Sequence, residues 1–131
     1  MQKYIVRQLG KGRVSVLRDY LVEDGPIMKS SSLKKALDLG DDLAIDVVDR
    51  TAKYLGVAIG NLVNIFHPQM IIFGGGVIES LEGELLNRAI HEGKLHAMPG
   101  MMDSVKFEMS TLGDDAGVYG AYRLAREKIK I

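Results

Sequence analysis

Three consecutive glycines, Gly74, Gly75 and Gly76, follow directly on the apolar run Met70-Ile71-Ile72-Phe73. Ligands of open α/β sheets bind beyond the carboxyl ends of the strands. Glycine at such an end removes side chains, so that backbone can approach a flat base or a phosphate. No Gly-Lys-Ser/Thr follows, so the turn is not a P-loop, and its spacing is not that of a dinucleotide fingerprint. A tight strand-to-helix turn uses three glycines as readily as a ligand does, and the pattern alone leaves both readings open.

Other residues with chemical potential read more simply as structure. Asp114 and Asp115 are adjacent carboxylates at a helix start, where Asp serves as a cap. Glu79, Glu82 and Glu84 surround the first turn of a helix, which favours carboxylates through its dipole. His91 and His96 are five residues apart, whereas two imidazoles on one helix face are four apart, so both are read as surface residues and no metal site is assigned. Met98, Met101 and Met102 suit a loop laid over the core. Lys128 and Lys130 read as a solvated helix end. The sequence has no cysteine, which excludes a disulfide scaffold, a thiol nucleophile and a thiolate zinc site within it.

The elements that must position the glycine turn can be read in order. Lys3 to Leu9 and Val14 to Leu21 suit short helices on either side of Gly10-Lys11-Gly12. Gly25-Pro26 is a break, after which Ser30, Ser31 and Ser32 offer N-caps for a helix from Leu33 to Leu39 closed by Gly40. Asp41 and Asp42 then open the dominant element. From Leu43 to Phe66, apolar residues recur in steps of three and four, and the second half of the helix is apolar nearly all round. Burial on more than one side is expected there. Gly56 and Gly60 weaken a helix by roughly 1 kcal/mol each, so close packing against another element is expected to require them. His67-Pro68 ends the helix.

Met70 to Phe73 reads as a buried strand of a parallel sheet. Leu81 to Leu95 reads as an amphipathic helix with Ser80 as its N-cap. Val105, Phe107 and Met109 alternate with polar residues as in a half-exposed strand, and Gly113-Asp114-Asp115 leads to a last helix, Ala116 to Ile129. Strand, helix, strand implies parallel pairing and an α/β fold. Two strands are few for a free-standing sheet.

The length of 131 residues fits a single domain, residues 1–131, with a helical lead-in over 1–40 and an α/β core over 41–131. Hydrophobic residues make up 47% and charged residues 26%, a globular balance. Lys+Arg and Asp+Glu are equal at 17 each, so no direct nucleic-acid contact or attraction to an anionic membrane is expected. The start lacks the apolar core of a signal peptide, and a cytoplasmic setting is the simplest expectation. Bare strand edges and the apolar long helix lead us to expect a dimer or larger homo-oligomer.

The stretch from Tyr54 through Gly60-Asn61-x-x-Asn64, Pro68 and the glycine turn to Val77 resembles the C-terminal region of the ROK family of sugar kinases and sugar-responsive repressors. Leu39-Gly40-Asp41-Asp42-Leu43-Ala44 upstream and the segment from Leu112-Gly113-Asp114-Asp115 to Ala121 downstream fall in matching order and spacing. The resemblance implies part of the C-terminal lobe of an actin/hexokinase-like (ribonuclease H-like) fold, helix-rich with few parallel strands. It implies that Gly74, Gly75 and Gly76 face the adenosine of ATP, used with Mg in the complete protein beside a small-molecule sugar. The family's phosphate loops, catalytic Asp and zinc motif lie upstream of the region matched and do not occur in this sequence. The resemblance therefore implies a nucleotide wall of a glucokinase-like enzyme, to be completed by a missing N-terminal lobe, or else the effector half of a repressor. A free-standing oligomerisation module is a third expectation.

Overall fold

A computed structural model describes residues 1–129; the side chains of Glu82 and Asp114 lie outside the described residues, as do Lys130 and Ile131. Three short helices, α1 (Gln2–Gly10), α2 (Leu17–Glu23) and α3 (Ser30–Asp38), lead into α4 (Asp42–Phe66). Strand β1 (Met70–Phe73), helices α5 (Gly76–Ser80) and α6 (Glu82–His96), strand β2 (Lys106–Met109) and helix α7 (Ala116–Ile129) complete the order. The two strands pair in parallel, Met70 opposite Lys106 and Phe73 opposite Met109. A helix-rich α/β fold with parallel strands is therefore present, as expected.

Helix α4 starts and stops where the sequence says. The Asp41 carboxylate accepts hydrogen bonds from the amides of Leu43 and Ala44, and His67 closes the helix in the left-handed region at φ 42°. Before it, Gly40 at φ 70° lets α3 turn back, with Asp41 N–H donating to Ala36 O and Gly40 N–H to Leu37 O. That pair of bonds is a Schellman closure, which requires the left-handed conformation glycine tolerates.

Helix α4 runs parallel to α6, because Asp49 meets Arg88, Gly56 meets Glu92 and Gly60 meets His96. A Cβ built on Gly56 would stand 2.5 Å from the Glu92 Cβ and 2.9 Å from the Ala89 carbonyl oxygen. One on Gly60 would stand 2.7 Å from the His96 Cβ. Both glycines are thus the points where two helix backbones touch. Around that contact Leu43, Val47, Val48, Ile59 and Val63 of α4 bury against Leu85 and Ala89 of α6, with Leu81 at its start. Ile5, Leu17, Leu33 and Ala36 join the same core from the lead-in.

Four expectations are corrected. Ser30, Ser31 and Ser32 are the first turn of α3, not its cap; Lys29 stands at the cap position. Ser80 does not cap α6 but ends α5, and its hydroxyl shares a 2.7 Å hydrogen bond with that of Ser30. Glu79 consequently belongs to α5, while Glu84 stays in the first turn of α6 and pairs with Arg88. The amphipathic phase carries on through the joint at Leu81, which is fully buried, and this hid the break. Third, β1 is not buried on both faces: Ile71 and Phe73 pack on the core while Met70 and Ile72 are exposed. Fourth, the second half of α4 is covered on one side, leaving Tyr54, Leu62, Ile65 and Phe66 exposed.

The lead-in is pinned to α4 by a polar cluster. Arg13 donates to Asp46 Oδ2 at 2.7 Å and the Tyr4 hydroxyl donates to the same oxygen at 2.8 Å. The Arg50 guanidinium lies over the Tyr4 ring, 4.9 Å from its centroid. The Arg13 hydrogen bond, then that of Tyr4, holds the Asp46 carboxyl below its ordinary value of 3.8. A depressed carboxyl contributes stability above the ordinary value, and that contribution is lost as pH falls through the folded value. We expect Asp46→Asn to lower the urea midpoint near neutral pH and to flatten its acid limb below about pH 4. The side chain is 37% exposed, so solvent screening keeps the effect at about 1 kcal/mol or less. Urea titrations of both proteins across the acid range check it.

Candidate functional site

The parallel register brings the carboxyl ends of both strands to one edge. Phe73 faces Met109, and the Ser110 amide donates to the Phe73 carbonyl at 2.7 Å. Residue 74 therefore lies beside residue 110, and a Cβ on Gly74 would come within 3.2 Å of the Ser110 Cβ. Glycine at 74 is what lets the two strand ends close together. Gly75 has a different need. Its φ of 103° lies in the region that side chains rarely adopt, yet the space around it is open.

Gly76 has neither need. Its φ is not in the left-handed region, and the nearest atom to a built Cβ is the Ser30 hydroxyl oxygen at 3.9 Å, an ordinary contact. The turn is thus a bare stretch of backbone at the end of a parallel sheet, the position where α/β sheets take ligands. Ser110 joins it from the second strand, its hydroxyl accepting from the Leu112 amide at 3.3 Å. Sequence reading missed Ser110, since only the pairing register sets it beside the glycines.

Asn64 supports the edge from behind. Its side-chain amide donates to the His96 carbonyl at 2.9 Å and its Oδ1 accepts from the Met98 amide at 2.8 Å. This bidentate clamp fixes the end of α6 and the loop leading to β2. Asn61, the other asparagine of the motif, is exposed. In the loop, Met102 is buried and Met101 packs on the core, as expected of a cover, while Met98 points outward.

The remaining candidates lie elsewhere. Asp115 ends a 3-10 turn, Gly113–Asp115, that leads into α7. His91 lines a groove of about 680 Å³ between α4 and α6, together with Asp49, Lys53, Asn87, Arg88 and Glu92. That groove is away from the glycine turn, and Arg88 is engaged there by Asp49 and Glu84. His96 sits at the last position of α6. Lys128 is exposed in the last turn of α7. Among the described residues no three His, Asp or Glu converge as a metal site, and no helix is long and apolar enough to cross a membrane.

The sequence matches the ROK family over residues 14–128. A glucokinase of Halalkalibacterium halodurans is 38% identical over 103 residues, which span 78% of this chain and 31% of that enzyme. A glucokinase of Thermotoga maritima is 33% identical over 69% of this chain and 28% of its own length. The transcriptional regulator NagC of Escherichia coli is 37% identical over 46 residues, 35% of this chain and 11% of the regulator. Among solved structures, a ROK family transcriptional regulator homologous to the Escherichia coli MLC protein superposes with a TM-score of 0.68 at 25% identity, covering 82% of this chain and 26% of its own. A structure from Cytophaga hutchinsonii described as a sugar kinase gives 0.73 at 21% identity, over 94% of this chain and 40% of its own, a likeness of fold. The chain therefore spans about a third of the length of the glucokinases it matches, and it belongs to the ROK family.

Proposed function

We propose that this chain is the C-terminal, nucleotide-side portion of an ATP-dependent hexose kinase of the glucokinase type. The observation that carries the reading is the glycine turn at the carboxyl end of a parallel strand, with a glycine at 76 that the fold does not need. The actin/hexokinase-like likeness supports it, and so does the 103-residue match to a glucokinase. In this reading residues 1–131 form one unit, part of the C-terminal lobe, and the complete protein is a cytoplasmic enzyme using ATP with Mg.

Chemically, the chain contributes a surface rather than a reacting group. Gly74, Gly75 and Gly76 let main chain lie flat against the adenosine, and Ser110 bounds the seat from just beyond β2. Bound ATP and Mg supply the phosphoryl group and its charge neutralisation. Among the described residues no cluster of carboxylates forms a metal site, and the metal would be held by the phosphates and the rest of the protein. The sugar hydroxyl and its general base would likewise belong to the other portion.

A chimera tests this, with the present chain replacing the matched part of the Halalkalibacterium halodurans glucokinase. It is expected to phosphorylate glucose. A Cβ at position 76 makes only an ordinary contact with the Ser30 hydroxyl, and in this reading a side chain there fills the space offered to the nucleotide. Gly76→Val is therefore expected to raise KM for ATP about tenfold or more and to leave KM for glucose and the thermal midpoint nearly unchanged. An unchanged KM for ATP would remove the turn from the site.

The second reading, the effector half of a sugar-responsive repressor, is favoured by the solved regulator at 25% identity. Its support in sequence is shorter, 46 residues against 103. A chimera that binds sugar without transferring phosphate would favour it.

A further inference from the structure

Gly76 stands across from a hydroxyl supplied by a distant part of the chain. The atom nearest to a Cβ built there is the Ser30 Oγ, at 3.9 Å. Ser30 is the first residue of α3, so the lead-in reaches the glycine turn. The space in front of Gly76 is therefore bordered by a polar side-chain atom and not by main chain alone.

The start of α3 is secured without the Ser30 side chain. The Asp24 carboxylate accepts from the Lys29 amide at 2.8 Å and from the hydroxyl of the buried Ser32. The Ser30 hydroxyl meets that of Ser80 instead, at 2.7 Å, and Ser80 is the last residue of α5. Two hydroxyls that share one hydrogen bond use one of their two hydrogens. One donor remains, together with acceptor lone pairs on both oxygens. Both serines are half-buried, and the Ser30 oxygen is the one that borders the space in front of Gly76.

A group that both donates and accepts suits a partner that does the same. On a nucleotide that partner is the ribose, whose neighbouring hydroxyls take either role. The ring nitrogens of adenine only accept, its amino group only donates, and ionised phosphates only accept. Ser110, beside Gly74, already accepts from the Leu112 amide.

We propose that Ser30 is a specificity-determining residue of the nucleotide seat, its hydroxyl hydrogen-bonded to a ribose hydroxyl of ATP. Ser80 holds that hydroxyl in place and is a positioning residue. The inference rests on reading the glycine turn as a nucleotide seat, and adds to that seat a residue from the lead-in.

The test uses the glucokinase chimera, built to include residues 14–128, the extent of the family match, so that Ser30 and Ser80 are both this chain's own. Ser30→Ala is expected to raise KM for ATP about tenfold, with kcat at saturating ATP nearly unchanged. The chimera itself is expected to use 2′-deoxy-ATP or 3′-deoxy-ATP about tenfold less well than ATP. Ser30→Ala is expected to lose that preference, because the missing ribose hydroxyl no longer leaves a partner unpaired. Ser80→Ala removes the support and keeps the contact, so it is expected to raise KM for ATP only about threefold and to retain the preference.

An unchanged KM for ATP in Ser30→Ala overturns the proposal, and so does a ribose preference that survives that change. Equal rises in the two variants with the preference intact overturn it as well, since the pair would then only pin α3 to α5. If the chimera transfers no phosphate, calorimetric titration with ATP and the two deoxy analogues reads the same ratios as Kd, and no binding of ATP overturns the inference together with the seat it rests on. Gly76→Val separates the two ideas. A KM for ATP that this variant leaves unchanged removes the turn from the site; a KM raised by Gly76→Val and untouched by Ser30→Ala removes Ser30 alone.

Discussion

Gly56→Ala is expected to destabilise the protein by about 2 kcal/mol or more, the reverse of what the same change does in an open helix. In a solvent-facing turn, alanine gains about 1 kcal/mol over glycine. Here the new Cβ would stand 2.5 Å from the Glu92 Cβ and 2.9 Å from both the Ala89 carbonyl oxygen and the Gly93 amide nitrogen. Backbone atoms of a helix cannot step aside singly, so α6 must move as a body. Overpacking of this kind typically costs 1–3 kcal/mol and occasionally more, and here it opens the contact that buries Ile59, Leu85 and Ala89. The opposing face is as tight, since a Cβ on Gly93 would meet the Ile59 Cγ2 at 3.0 Å. For a chain of this size the loss corresponds to a fall of roughly 10 °C in thermal midpoint. Gly10→Ala provides the contrast, because Gly10 is also helical and its Cβ would meet nothing within 4 Å. A thermal melt of both variants checks the pair, and a Gly56→Ala midpoint at or above wild type would show that α6 yields without cost.

That contrast also marks where sequence stops speaking. Two glycines in a strong apolar helix announce a close neighbour, because nothing else offsets their weakness. They do not say which neighbour, and α6 was identified by the structure alone. Helix α4 itself was legible to within a residue, since its cap, its period and its His67-Pro68 stop are all local signals. The break between α5 and α6 was not, because Leu81 keeps the apolar phase while its backbone leaves the helix.

For the site, the glycine turn was visible as composition. The distinct demands on Gly74, Gly75 and Gly76 were not, since each depends on what lies across the sheet or in front of it. Ser110 depended on register, a relation between two strands 36 residues apart with no turn signal linking them. The exposed faces of β1, α4 and α7 mislead for a further reason. An apolar run predicts burial somewhere, and the covering element need not belong to the sequence being read.

Asp41→Ala is expected to cost about 3 kcal/mol and to loosen the lead-in as well as α4. An N-cap aspartate replaced by alanine ordinarily costs 0.5–2 kcal/mol. Asp41 does more than cap. Its Oδ1 accepts from the amides of Leu43 at 3.0 Å and Ala44 at 2.9 Å, and from the Ser15 hydroxyl at 2.9 Å. Its Oδ2 accepts from the Val16 amide at 2.9 Å. One carboxylate thus fastens the start of α4 to the chain entering α2, on either side of a separation of 25 residues. Hydrogen bonds to a charged group contribute about 1.5–3 kcal/mol each at most, and the four share one acceptor group, so their losses do not add. Asp41→Asn separates the two roles. Its amide oxygen can still cap α4, but its NH₂ cannot accept from the Val16 amide, so it is expected to recover about half of the loss in thermal midpoint. Hydrogen exchange supplies the second reading: the amides of α2 are expected to exchange faster in both variants, while those in the first turn of α4 are expected to exchange faster only in Asp41→Ala. Equal protection of α2 in wild type and Asp41→Asn would mean that the lead-in is held by Leu17 in the core and by the Arg13–Asp46 pair, and that Asp41 acts on α4 alone.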